Sequence, residues 1–249
     1  MKKIYGFNLL ILFLIMLLTT SFVPVKKVGV GKITFPLGNV LLLNRGTTQA
    51  KMATFNMPVR NGDKIETKKQ SRCEITYNDG SVIRVDEQSI YTVEKAEFEK
   101  EKKEVDSKLS IGKLWANIKK LVSSKDSWRL KSPAAVVAVR GTVYRMNAGA
   151  DSSTQVLVYE GNVAVGPATQ PGGQRGMGVV PGKPQQVQGP VQVQGPRQVT
   201  MGEWLEIVKA QQQIVVRPDG TFAKSDFNLE EDEKLDWVAW NKERDKLLE

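Results

Sequence analysis

The stretch from Ser132 to Tyr144 constrains the fold more than any other part of the chain. Pro133 bars a helix from running through it, and Ala134 to Val139 is an unbroken apolar run. Arg140-Gly141 then makes a turn ahead of Thr142, Val143 and Tyr144, which favour extended backbone. A short Val-rich run bounded by turn residues reads as a strand buried on both faces. Gly141 lets the chain change direction sharply after it.

The segments on either side predict more strands. Gly38 to Leu43 reads as the opening strand, Asn61-Gly62-Asp63 as a turn, and Lys64 to Thr67 as a short strand. Arg72 to Tyr77 and Ser81 to Val85 form the clearest hairpin, joined through Asn78-Asp79-Gly80. Alternation puts Cys73, Ile75 and Tyr77 on one face of it and Arg72, Glu74 and Thr76 on the other. Ile90 to Val93 continues the sheet. The charge-dense Glu94 to Lys108 reads as a solvated strand pair, because Ala96, Phe98, Val105 and Leu109 still punctuate it. Ile111 to Ala116 and Trp128 to Leu130 lead into the signature stretch. Gln155 to Tyr159 and Asn162 to Val165 predict a second hairpin around Glu160-Gly161.

The succession of hairpins, the Gly112 segment, the Ser132–Tyr144 motif and the closing Glu160-Gly161 element together resemble the FecR domain. That domain is a β-rich extracytoplasmic module known from transmembrane signalling. The resemblance covers about residues 38 to 165 and implies a mainly β fold of short antiparallel strands, arranged as a barrel, a sandwich or a solenoid-like stack. It also implies a regulatory context. Regulators of this family carry a cytoplasmic region that binds a sigma factor. Here the apolar run starts at Ile4, so direct sigma-factor control by this polypeptide is not expected.

Composition removes several chemistries. The chain of 249 residues has no His and one cysteine, Cys73. A Ser-His-Asp or Cys-His arrangement and a His or CxxC zinc site are therefore outside its reach. No pair of carboxylates stands out as an acid/base couple, and no Gly-rich phosphate loop is present. Asn78-Asp79-Gly80 is a turn, since the other positions of a calcium loop are missing. The expectation is no enzyme, no catalytic residue, no metal and no cofactor.

Lys2 and Lys3, the apolar Leu9 to Leu18 and the small polar Thr19, Thr20 and Ser21 have the layout of an export signal. Cleavage after Ser21 would remove it, whereas the uncharged Ile4 to Val25 is long enough to remain as a membrane anchor. The expected location is the periplasm, either soluble or anchored in the inner membrane and facing the periplasm. Export makes nucleic acid an unexpected partner in spite of the formal charge of +9. A lone cysteine in an exported chain leaves no internal disulfide.

The expected organisation is a signal or anchor over 1–25, a FecR-like β domain over 28–165, a Gly/Pro/Gln-rich linker or extended segment over 166–198, and a C-terminal region over 199–249. In that last region, Thr200 to Glu203 is a capping-box pattern opening a short helix through Trp204, Ile207 and Val208. Gln213 to Arg217 and the Pro218-Asp219-Gly220 turn suggest a hairpin. Leu229 to Glu249 is predicted as a helix capped by Asn228, with Leu229, Trp237, Trp240, Leu247 and Leu248 on one stripe. The run Trp240-Asn241-x-x-Arg244-Asp245 resembles tails of other FecR-domain proteins.

Several residues are candidate contacts. Arg140 either docks a partner's carboxylate or ties down backbone carbonyls at its turn. Lys113, Lys119, Lys120, Lys125 and Arg129 belong to a basic segment, shared with Trp115 and Trp128, that suits an anionic polysaccharide or lipid surface or simply forms a solvated face. Trp237 and Trp240 either bind a partner or dock the terminal helix on the chain's own sheet. Cys73 reads as a small buried hydrophobe.

Three functions follow. The first is a non-enzymatic interaction or scaffolding module of the bacterial cell envelope, binding a protein partner or an anionic polymer. The second is a signal relay acting through a separate membrane partner. The third is an envelope glycan hydrolase, which needs two carboxylates about 5–9.5 Å apart in a cleft.

Overall fold

A computed structural model describes residues 29–168 and 206–248. The export segment, most of the Gly/Pro/Gln-rich stretch and the Thr200–Glu203 capping box lie outside the described residues.

Strands alternate between two sheets, several of them singly at first and then in pairs. Sheet I receives β1 (Gly31–Leu37), and sheet II receives β2 (Val40–Leu43) and the short β3 (Lys51–Met52). The two-residue β4 (Pro58–Val59) returns to β1, and β5 (Lys64–Thr67) pairs with β2. A hairpin of β6 (Arg72–Tyr77) and β7 (Val82–Val85) extends sheet I. Sheet II gains β8 (Ser89–Phe98), which pairs with the first half of the sixteen-residue β9 (Lys103–Ile118). The second half of β9 joins sheet I, pairing with β7 through Leu114 to Asn117. This one strand therefore belongs to both sheets. Gly112, with φ +101°, sits where it passes between them, and a Cβ there would come 2.0 Å from Ser89 Oγ.

Sheet II continues with β10 (Ser127–Lys131) and β11 (Ala135–Val139), sheet I with β12 (Thr142–Ala148) and β13 (Thr154–Glu160). Then β14 (Asn162–Pro167) and β15 (Glu206–Lys209) extend sheet II, and β16 (Gln212–Val216) and β17 (Phe222–Asp226) extend sheet I. Every pairing is antiparallel except β9 with β10. The sheets do not close on themselves, so the barrel alternative falls away and an open two-sheet stack remains. Two short helices finish the chain, α1 (Leu229–Glu233) and α2 (Asp236–Asp245).

The core lies between the sheets. From sheet I it takes Ile33, Cys73, Ile75, Val85 and Tyr144, and from sheet II Leu42, Ile65, Tyr91, Val105 and Val137. Aromatics tie the layers together: Tyr77 and Tyr91 share a hydroxyl hydrogen bond of 2.7 Å, and Tyr77 meets Trp128 edge-on with ring centroids 5.1 Å apart. The outer face of sheet I is also covered, because α1 and α2 lie across it.

Mainly β architecture with a C-terminal helix matches the expectation, and so do the Arg72–Val85 and β16–β17 hairpins. Other features differ. The described residues open with β1, and Gly38, at φ +74°, turns it into β2. The signature strand β11 is not buried on both faces: Val136 and Ala138 are half-exposed, alternating with buried Ala135, Val137 and Val139. Its alternate side chains leave the core side of sheet II. The expected hairpin around Glu160-Gly161 is a crossing, since β13 stays in sheet I and β14 enters sheet II. Ile207 and Val208 belong to β15 and not to a helix, because the edge of β14 offers them a ladder. Finally, the predicted terminal helix is broken at Lys234-Leu235 so that α2 can turn onto the sheet. Leu247 falls beyond it and is 78% exposed.

Candidate functional site

The signature residues build one corner of the stack. Arg140-Gly141 carries the chain from sheet II into sheet I, and Glu160-Gly161 carries it back. The two turns touch: a Cβ on Gly161 would lie 2.9 Å from the Gly141 carbonyl oxygen, and one on Gly141 would lie 2.7 Å from Lys120 Cα. Both glycines have positive φ, at +104° and +77°. Close backbone approach thus explains why glycine stands at each turn. Thr142 Oγ1 donates to the Asn162 carbonyl at 3.0 Å and pins the corner.

Lys119, Lys120, Lys125 and Arg140 are exposed around this corner. Arg140 Nη2 donates to the Ser123 carbonyl at 3.1 Å, so part of its donor fork fixes the 119–126 loop. Asp126 organises that loop by accepting from the amides of Lys103, Ser123 and Val122. These amides hold its carboxyl below the usual carboxylate range, the Lys103 amide most of all.

The other candidates lie elsewhere. Arg129 is half-buried on sheet II, donating to Asp106 from Nε at 2.6 Å and from Nη2 at 3.0 Å. Lys113 sits on sheet I, 3.8 Å from Asp86. Trp115 and Trp128 are buried, so the basic segment is divided among separate surfaces. Cys73 is buried in the core, and burial, followed by the charge of Glu74, pushes its thiol up to about 12.

Trp237 and Trp240 face the outer side of sheet I and stack on one another at 5.5 Å, with the Arg72 guanidinium over both rings. Beneath them runs a row that residue-by-residue pairing places across five strands: Glu74, Arg84, Trp115, Arg145 and Leu157. Arg84 is fully buried there. Its Nε donates to Glu74 at 2.7 Å, and its Nη1 donates to Asp245 at 2.6 Å and to the Asn241 carbonyl at 3.3 Å. Arg244 grips the two Glu74 oxygens at 2.9 and 3.0 Å, while Trp115 Nε1 donates to Asp245 at 2.9 Å. Burial alone pushes the Glu74 carboxyl up, but hydrogen bonds from Arg244, Arg84 and Thr34 outweigh it and hold it down to about 2. A second clamp joins Arg145 Nη2 and the Tyr159 hydroxyl to Asp232, at 2.7 and 2.5 Å.

This network was missing from the sequence reading. Its signal was present in two halves: the polar alternation of Glu74 opposite Cys73, and the Asn241-x-x-Arg244-Asp245 run at the tail. Only the docked helix joins them.

A cleft of roughly 460 Å³ opens beside the N-terminus of α2, lined by Arg72, Asp86, Lys113, Arg145, Asn147 and Trp237 among others. Its acids have fixed partners: Asp86 and Asp236 both take Arg72, and Glu87 accepts from the Gln70 amide at 2.6 Å. Among the described residues, no group of three or more His, Cys, Asp or Glu side chains is placed to hold a metal ion. No described helix is long and apolar enough to cross a membrane.

Comparison with known proteins agrees with the signature. Residues 63–164 match the family model described as FecR protein. No curated protein sequence matches the chain. Two crystal structures of a candidate anti-sigma factor from Parabacteroides distasonis resemble it with a TM-score of 0.44 and 17% identity. Each match covers 66% of this chain and 60% of that one. Residues 63–164, which hold the paired Gly141 and Gly161 turns, are the part of the chain that is similar to the FecR family.

Proposed function

We propose that the chain is a non-enzymatic interaction module of the bacterial cell envelope, serving regulation by binding a protein partner at the signature corner. The observation that carries this reading is the convergence of Lys119, Lys120, Lys125 and Arg140, all exposed, on the turns that the FecR signature builds. Val122, in the same loop, is 86% exposed and offers an apolar centre inside the basic rim. Such a surface suits an acidic docking face, with the lysines steering encounter and the apolar residue losing water on contact. Location in the envelope is supported by the export-like pattern of Lys2 to Ser21.

The test is in-cell cross-linking of the tagged protein, followed by capture from the envelope fraction and mass spectrometry. A K119E/K120E variant runs in parallel. One dominant envelope protein, lost in the variant while the thermal midpoint is unchanged, is the expected result. Equal capture by both proteins overturns the assignment of this face. Co-purifying polysaccharide or lipid that is released at high salt, with no protein partner, replaces the protein by an anionic polymer.

A further inference from the structure

The cleft beside α2 holds an unusual concentration of unmet hydrogen-bonding capacity. Among the described residues, six buried side-chain polar atoms have no partner, and three of them belong to residues lining this one cleft. They are Arg145 Nε, Trp237 Nε1 and Asn147 Oδ1: two donors and one acceptor. Arg145 and Trp237 are each only 5% exposed. A buried polar atom left unpaired costs about 1–3 kcal/mol, so three on residues that line one cleft single it out as the place where a partner would offset that cost.

The helix terminus adds to this. Leu235, the residue preceding α2, provides no side-chain hydrogen bond to the first turn, and Leu235, Asp236 and Trp237 all line the cleft. The first-turn amides and the positive end of the helix dipole therefore favour a negative group here, alongside the unpaired N–H groups of Arg145 and Trp237.

Charge defines what else the ligand carries. Among the lining residues Arg72, Lys113 and Arg145 stand against Asp86, Glu87 and Asp236, and behind the cleft Arg145 Nη2 also holds Asp232, leaving its Nε free. A dianion such as phosphate would meet three carboxylates. A ligand with one charge of each sign would meet a partner for each, and Asn147 Oδ1 supplies an acceptor for its donor end. At roughly 460 Å³ the space lies toward the small end of ligand sites.

We propose that this cleft binds a small zwitterion of the α-amino-acid type. Its carboxylate takes the N–H groups of Arg145 and Trp237 beside the α2 N-terminus, and its ammonium faces Asn147 Oδ1 and the carboxylate lone pairs that Asp86 and Glu87 keep beyond their Arg72 and Gln70 contacts. The site lies on the outer face of sheet I, apart from the signature corner, and is independent of the partner-binding reading.

The test is titration of the isotope-labelled full chain, following the indole N–H signals by NMR. The probes are a panel of free α-amino acids, with acetate, ethylammonium and inorganic phosphate as controls. One or more amino acids should move the Trp237 indole signal saturably, and the controls should not. W237F should remove that signal and weaken binding about 10-fold, the loss of roughly one charge-assisted hydrogen bond. N147L should weaken binding with the Trp237 signal still present, which keeps the test independent of any change in folding at Trp237. The proposal is overturned if no amino acid moves the signal at tens of millimolar, if acetate or phosphate moves it equally, or if both variants bind as the parent does.

Discussion

Arg84 and Glu74 face each other on adjacent strands, Nε to Oε2 at 2.7 Å, and neither is exposed by more than 5%. Their pairing fixes where the terminal helix can dock, because Arg84 also holds Asp245 and Glu74 also holds Arg244. This network is costly to break at Arg84, since its removal takes one of two cations from buried Glu74 and the salt-bridge cation from Asp245. Arg84→Met should lower stability by about 3–5 kcal/mol, read as a reduced midpoint in urea denaturation. A change below about 1 kcal/mol would show that the helix holds without the pair.

Acid should release the same contact. The Glu74 carboxyl is held down to about 2 against an ordinary value near 4.5. A depressed folded-state value means that the stabilisation is fully present above pH about 4.5 and fades as pH falls toward 2. Trp115, Trp237 and Trp240 surround the contact, so tryptophan fluorescence should report undocking of α2 within that window. In E74Q the acid limb should be shallower, and an identical limb would place the sensitive group elsewhere.

The paired signature turns predict an order among glycine substitutions. Gly46 has φ +78° with nothing within 4 Å of a built Cβ, so Gly46→Ala bears only the left-handed backbone cost, about 1–2 kcal/mol. Gly141→Ala adds a collision with Lys120 Cα, and Gly161→Ala a collision with the Gly141 carbonyl. Both should lower the thermal midpoint more than Gly46→Ala does. Equal effects would mean that the corner relaxes.

Cys73 should be silent until the fold opens. Burial, with the charge of Glu74 behind it, pushes its thiol up to about 12, so little thiolate exists at pH 8 and none is accessible. A thiol reagent should react with the native chain only at the rate of unfolding, and immediately in denaturant. Fast labelling of the native protein would contradict its place in the core.

Local features of the sequence determined the hairpins. The Asn78-Asp79-Gly80 turn and the alternation of Arg72 to Tyr77 specify β6 and β7, because a period of two and a residue able to take positive φ act within a few positions. Pro218-Asp219-Gly220 sets the β16–β17 hairpin likewise, and the Arg140-Gly141-Thr142 motif, together with the hairpins around it, points to the FecR resemblance. Only the tertiary structure decided which sheet each strand enters. Glu160-Gly161 looks like a hairpin turn in sequence and is a crossing, because β14 finds its partner in β11 rather than in β13. The split of β9 between two sheets, the break at Lys234-Leu235 and the burial of Trp237 have the same origin. Arg84 meets Asp245 across 161 positions, and Arg244 meets Glu74 across 170. Contacts at that separation leave no periodicity in the sequence; they exist because stacked strands bring distant charges onto one face and the helix seals them from water.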